Sequence, residues 1–180
     1  MGKVICETKR LIVREYTPRD GEALGSFAGK DFIVKWLPDW AGASEWAKPW
    51  IEGKVMDGYR TDDPKKGMLF YAVVEKESGR LIGNAGICPM EDNEVGAAYF
   101  IDEDYKCRGY TTEAMAALIE TAFQKYGIES LVATVQTGNL SSIAVAKKLG
   151  FTLVKTAMLL DYGQTEELPF HYFRLDNPNR

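Results

Sequence analysis

Residues 105–127, YKCRGYTTEAMAALIETAFQKYG, place a basic bend around one glycine directly ahead of a long patterned segment. Within that segment Met115, Leu118, Ile119, Ala122, Phe123 and Tyr126 step by three and four, the apolar stripe of an amphipathic helix that Gly127 ends. The run VGAAYFID, residues 95–102, reads as a strand leading into the bend. Strand, tight turn and helix N-terminus therefore follow one another. Consecutive backbone N–H groups at such a terminus, backed by the helix dipole, suit an anion such as phosphate. Gly109 lets the chain approach the anion, Lys106 and Arg108 add charge, and Thr111 and Thr112 add hydroxyls. The competing reading is a plain strand-to-helix turn, which needs one glycine and surface charge but no ligand.

Upstream of the bend, KRLIVREY alternates as a strand, and TPRD supplies a helix opening with Thr17 as cap, Pro18 in the first turn and Asp20 reaching back. That helix should turn Leu24 and Phe27 inward and end near Gly29. From Asp31 to Arg60 the chain is rich in tryptophan, and Ala47, Trp50, Ile51 and Val55 have helical spacing, with Pro49 leaving the helix start open. GMLFYAVVEK and RLIGNAGICPM form a hairpin closed at Gly79. Downstream, SLVATVQ is a strand, and GNLSSIAVAKKLGF is a helix capped by Asn139 and stopped by Gly150. TLVKTAMLLDYGQTEELPFHYFRLD gives two strands around GQTEE. The order is strand, two helices, three strands, helix, strand, helix, two strands. This is an α/β arrangement with a mixed sheet, expected as one domain over residues 1–180.

Composition narrows the function. Apolar residues at 46% with 27% charged fit a soluble globular chain, and no apolar run is long enough to span a bilayer. The start MGKVICETKRLIV lacks the apolar core of a secretion signal, so a cytoplasmic location with no membrane partner is the expectation. A net charge of −4 argues against nucleic-acid binding. Cys6, Cys88 and Cys107 are too far apart for a disulfide framework or a zinc set, so no metal is expected. The only histidine, His171, gives hydrolase chemistry no positional support. The bend also lacks the Gly-Lys-Ser/Thr of a nucleotide loop, and the chain start lacks the three spaced glycines of a dinucleotide fold.

YKCRGYTTEAM resembles the acetyl-CoA pyrophosphate loop of the GNAT acetyltransferases, whose pattern falls on Lys106, Gly109 and Thr111. NLSSIAVAKKLGF resembles the signature of the RimJ/RimL-like branch, with Asn139, Ser142, Val145, Lys148, Gly150 and Phe151 in register. ETKRLIVREYTPRDGEAL and LIGNAGI resemble the same branch, so the likeness spans nearly the whole chain. It implies a single-domain GNAT fold whose sheet splays at its centre to take the pantetheine arm of acetyl-CoA. By the same resemblance, the backbone of Phe100, Ile101 and Asp102 would face that arm. The amides of Cys107, Arg108, Gly109, Tyr110, Thr111 and Thr112 would hold the pyrophosphate, with Lys106 and Lys148 in the cofactor set. Asn139 would bond the pantetheine, cap its own helix, or do both.

The chemistry implied is direct attack of an amine on the thioester in a ternary complex. An alkyl amine is mostly protonated at neutral pH, so it needs a proton acceptor or a pocket that desolvates it. Glu94 is the candidate base, against the alternative of an exposed turn carboxylate beside Glu91 and Asp92. The Phe100 N–H is the candidate oxyanion donor. Many relatives place a tyrosine one residue after Val145 to protonate the leaving thiolate. Ala146 stands there, so Ser142 is the candidate acid, the alternative being a first-turn hydroxyl only. A covalent route through Cys107 would need a histidine partner, and His171, in the tail strand, has no positional claim to that role. The acceptor side would be walled by Trp36, Trp40 and Trp46, with Tyr59, Tyr162 and Phe170, and rimmed by Asp39, Glu45 or Glu94, suiting a cationic amine. Core packing is the plainer role for those rings. A protein N-terminus, a lysine or a small-molecule amine all fit, with the enzyme a monomer or homodimer. The competing function is a CoA-binding sensor or assembly module without catalysis.

Overall fold

A computed structural model describes residues 2–161 and 163–179. The chain opens with strands β1 (Val4–Glu7) and β2 (Leu11–Glu15), followed by helices α1 (Gly21–Ala28), α2 (Asp31–Val34), α3 (Ala43–Trp50) and α4 (Met56–Thr61). Strands β3 (Leu69–Glu75), β4 (Leu81–Pro89) and β5 (Val95–Ile101) lead to the long helix α5 (Tyr110–Tyr126). Strand β6 (Ser130–Gln136), helix α6 (Leu140–Lys148) and the hairpin β7 (Thr152–Leu159) and β8 (Leu168–Asp176) complete it. One eight-stranded sheet has the order β1-β2-β3-β4-β5-β6-β8-β7, so β8 inserts between β6 and β7. Every neighbouring pair is antiparallel except β5 and β6. This is the mixed-sheet α/β fold expected from the element order.

Helices cover both faces. The α5 stripe, with Met115, Leu118, Ile119, Ala122 and Phe123 buried, packs with Ala146 of α6 on one face. On the other, Leu24 and Phe27 of α1 join Trp40, Ala47, Ile51 and Val55. Strand β3 is sandwiched between the layers and buried along its whole length, as its unbroken apolar run requires. At the α1 entry, the Asp20 carboxylate accepts the Thr17 N–H at 2.7 Å and two bonds from the Arg14 guanidinium at 2.7 and 2.8 Å. The capping pattern in TPRD thus also fixes an ion pair only 12% and 11% exposed.

Two local features depart from the sequence expectation. Strand β1 precedes the expected first strand, and the turn between them is held by the Thr8 hydroxyl, which accepts the Leu11 N–H at 2.9 Å. Four short helices stand where two were expected, and α3 runs through Pro49. Pro49 cannot donate to the preceding turn, and a wide π turn at Ile51–Val55 follows before α4. No helix among the described residues is long and apolar enough to cross a membrane.

Candidate active site

Among the described residues the sheet has one parallel junction, and it parts there. Strands β5 and β6 share one pair, Gly96 with Val132, and separate toward their C-terminal ends. The β4–β5 ladder is regular, and the Asp102 N–H donates to the Ile82 carbonyl at 2.8 Å. Main-chain direction alternates along a strand, so Phe100, opposite Asn84, also turns its amide toward β4. The amides of Tyr99 and Ile101 therefore face the gap. Of the three residues expected there, Ile101 faces it, whereas Phe100 and Asp102 have their amides committed inside the sheet. This corrects both the arm-facing set and the choice of Phe100 as oxyanion donor. The direction is set by register against β4, which the sequence of β5 alone does not carry.

At the open end of the gap β5 runs into the bend. Cys107 and Gly109 both adopt positive φ, 61° and 77°. A non-glycine residue in this region is strained by roughly 1–2 kcal/mol. Glu113 is the first α5 amide bonded back into the bend, to the Gly109 carbonyl at 3.0 Å. The six amides from Cys107 to Thr112 donate to no acceptor among the described residues. Lys106 pairs with Glu103 at 2.7 Å, and the Arg108 guanidinium donates to the Asp104 carbonyl at 3.1 Å. Both cations stay exposed at the rim.

A residue that the motif reading passed over shapes this bend. Arg10, in the β1–β2 turn, donates to the Arg108 carbonyl at 3.0 Å and to the Glu113 carboxylate at 2.7 Å. Its guanidinium lies 4.3 Å over the Tyr110 ring. Tyr110 in turn donates to Glu75 at 2.5 Å, so two hairpin turns brace the start of α5. Burial works to raise the Glu113 carboxyl, but bonds from Thr8 and Arg10 hold it below its ordinary value. The signal in sequence was a lone Arg beside Leu11, indistinguishable from a surface charge.

Helix α6 begins opposite β5. The Asn139 side chain accepts the Ser142 N–H at 3.1 Å and the Ser141 hydroxyl at 2.9 Å, a helix cap as its position suggested. Ser142 meets Tyr99 twice: its hydroxyl donates to the phenol oxygen at 3.1 Å, and the phenol donates to the Ser142 carbonyl at 3.1 Å. Burial raises the Tyr99 phenol above its ordinary value, and the Ser142 bond offsets part of this. Lys148 sits at the far end of α6, where it lines a cleft of about 310 Å³ with Thr112, Ile119, Phe123 and Leu149.

Glu94 precedes β5, beyond the closed end of the gap. Its carboxylate accepts the Tyr172 hydroxyl and lies 3.6 Å from Arg174, both on β8. It is thus half-enclosed and bridged across the junction, not a free turn carboxylate. Trp40 is buried and packs on Trp46, Trp50 and Phe100 with ring centres 5.0, 5.2 and 4.6 Å apart. The Trp46 indole donates to the Ala41 carbonyl at 2.9 Å. These rings form a packed wall behind Phe100. Trp36 instead reaches the β6–α6 turn, its ring 3.6 Å from where a Cβ on Gly138 would stand. Tyr162 lies outside the described residues. His171 bonds Thr156 at 2.8 Å on β8. A groove of about 910 Å³ runs between α1, the β3–β4 turn and the bend, lined by Asp20, Glu77, Arg80, Asp102 and Arg108 among others.

Residues 10–152 match the acetyltransferase (GNAT) domain family. The chain is 25% identical over 144 residues to the uncharacterized N-acetyltransferase YnaD of Bacillus subtilis (strain 168), covering 79% of each protein. Its fold is similar to that of RimL, a ribosomal alpha-N-protein acetyltransferase in complex with coenzyme A, with a TM-score of 0.80 and 18% identity over 97% of this chain and 98% of that one. It is similar also to the microcin self-immunity acetyltransferase MccE in complex with acetyl-CoA and AMP, with a TM-score of 0.80 and 15% identity over 94% of each chain. At these identities the structural likeness is one of fold.

Proposed function

The chain belongs to the GNAT acetyltransferases and is an acetyl-CoA-dependent acyltransferase, and from that premise we propose that it acetylates a primary amine, either a protein N-terminus or a small-molecule amine. The observation that carries this reading is the parted β5–β6 junction, joined by one residue pair and opening onto six amides that have no acceptor among the described residues. That combination fits an extended ligand with a phosphate-bearing end. Bound acetyl-CoA would supply the acetyl group as an activated thioester.

In this proposal the amides from Cys107 to Thr112 hold the diphosphate, with Lys106 and Arg108 adding charge at the rim. The Ile101 amide pairs with the pantetheine arm as an added strand would. Thr112 and Lys148 hold the nucleotide end along the α5–α6 cleft. The Tyr99 amide takes the donor role for the carbonyl oxygen, because the Phe100 amide is spent on β4. Glu94 accepts the proton of the attacking amine, directly or through water, and Tyr172 and Arg174 fix its orientation. Ser142 donates to the sulfur, and Asn139 orders the turn that presents it.

Assignment to the RimJ/RimL-like branch, and with it a protein N-terminus as acceptor, is supported by the Asn139–Phe151 motif and by the fold likeness to RimL. The experiment is a thiol-release assay with acetyl-CoA against peptides with free N-termini, polyamines, aminoglycosides and amino acids, paired with calorimetric CoA titration. Turnover with one amine class identifies the acceptor. Tight CoA binding without release across the whole panel would overturn the amine reading.

A further inference from the structure

We propose that Tyr99 is a positioning residue for the departing sulfur, acting through Ser142 as a switchable hydrogen-bond partner. The proposal rests on the reading of Ser142 as the group that meets the sulfur. Tyr99 has an unusual double location: its amide opens onto the β5–β6 gap, while its phenol crosses to the first turn of α6. There the phenol oxygen stands 3.1 Å from both the Ser142 hydroxyl and the Ser142 carbonyl.

Those two equal distances permit two bonding patterns. In the observed one Ser142 donates to Tyr99, and Tyr99 donates to the Ser142 carbonyl. In the other, Ser142 turns its proton toward a sulfur in the gap, and Tyr99 turns its own O–H onto the Ser142 oxygen. No hydroxyl loses a partner in the exchange, and the second pattern makes Ser142 a stronger donor because its oxygen now accepts a bond. When the carbon–sulfur bond breaks, its electron pair stays on sulfur, which receives the Ser142 bond. The proton that completes the thiol comes from solvent, so Ser142 and Tyr99 finish unchanged. Burial keeps the phenol protonated, so it works as a donor without ionising. Ala146, one turn beyond Ser142, is fully buried and offers no hydroxyl of its own. The strand therefore delivers the phenol.

The test uses the full-length chain with bound CoA and needs no acceptor. The ultraviolet absorbance of the thiolate, followed against pH, gives the pKa of the bound thiol. Tyr99→Phe is expected to raise that pKa by about one unit, a tenfold shift toward thiol. Ser142→Ala should raise it similarly, and the double variant no further, because the two act as one relay. CoA affinity by calorimetry should stay within about threefold in Tyr99→Phe, which a merely structural loss would not preserve. A Tyr99→Phe thiol pKa equal to wild type, with Ser142→Ala shifted, overturns the role of Tyr99 alone. Wild-type values in both variants overturn the Ser142 reading as well, and absence of CoA binding by the wild-type chain overturns the cofactor site itself.

Discussion

Replacing Arg10 with methionine should loosen the bend without touching any group proposed to meet the cofactor. Methionine keeps an apolar stem against Tyr110 but loses the bonds to Arg108 and Glu113. The Arg10–Glu113 pair is close, at 2.5 Å, yet its side chains are 41% and 22% exposed, so screening limits it to about 0.5–1 kcal/mol. The bond to the Arg108 carbonyl adds about 1 kcal/mol. Together these give about 1.5–2 kcal/mol for ordering the segment that carries the six amides. If anion binding needs that order, CoA affinity falls about 10- to 30-fold. The melting temperature should fall by roughly 3–8 °C. Calorimetric titration reads the first, with pantetheine, which lacks the diphosphate, as the control that should bind unchanged. Arg10→Met binding CoA within twofold of wild type would refute the idea that the β1–β2 turn organises the bend.

Asp20→Asn leaves the Arg14 guanidinium largely buried without its counter-charge and should destabilise the fold by about 3 kcal/mol in urea unfolding. Burial pushes the Asp20 carboxyl up, but bonds from Arg14 and Thr17 prevail and hold it below the ordinary 3.8. Its contribution is therefore complete above that value and is lost as pH falls through the folded-state value. The acid limb of a stability–pH curve should flatten in Asp20→Asn, and an unchanged limb would contradict the assignment. Glu94→Gln should lower turnover about 10²- to 10⁴-fold with CoA affinity intact, and turnover near wild type would dismiss Glu94 as the base. Tyr172→Phe, which frees the same carboxylate, should show a smaller loss in the same assay.

Local patterns carried much of this structure. The α5 stripe, the Asn139 cap, the Thr17–Asp20 opening and the Gly79 turn depend on contacts a few residues apart, and each stands where its spacing implies. What escaped depends on partners far along the chain. Strand β1 exists because Val4–Glu7 pairs with β2, and the intervening Lys9 and Arg10 gave no turn signature rich in glycine or proline. The direction of the Phe100 amide follows from register against β4, so no inspection of VGAAYFID reveals it. The role of Tyr99 emerges only because α6 returns beside β5, 43 residues later. Tryptophan spacing was equally silent: Trp40 and Trp46 pack as a wall, whereas Trp36 reaches the β6–α6 turn, and a helical period is compatible with either.

The single rung between β5 and β6 also divides the molecule mechanically. Five strands with helices α1–α4 form one leaf, three strands form another, and among the described residues the sheet ladder crosses between them only at the Gly96–Val132 pair. Helix α5 and side-chain pairs such as Glu94 with Tyr172 and Tyr99 with Ser142 are among the ties across the seam. A molecule that threads the seam as a guest strand would serve as a splint, making the substrate-loaded enzyme a stiffer body than the bare chain.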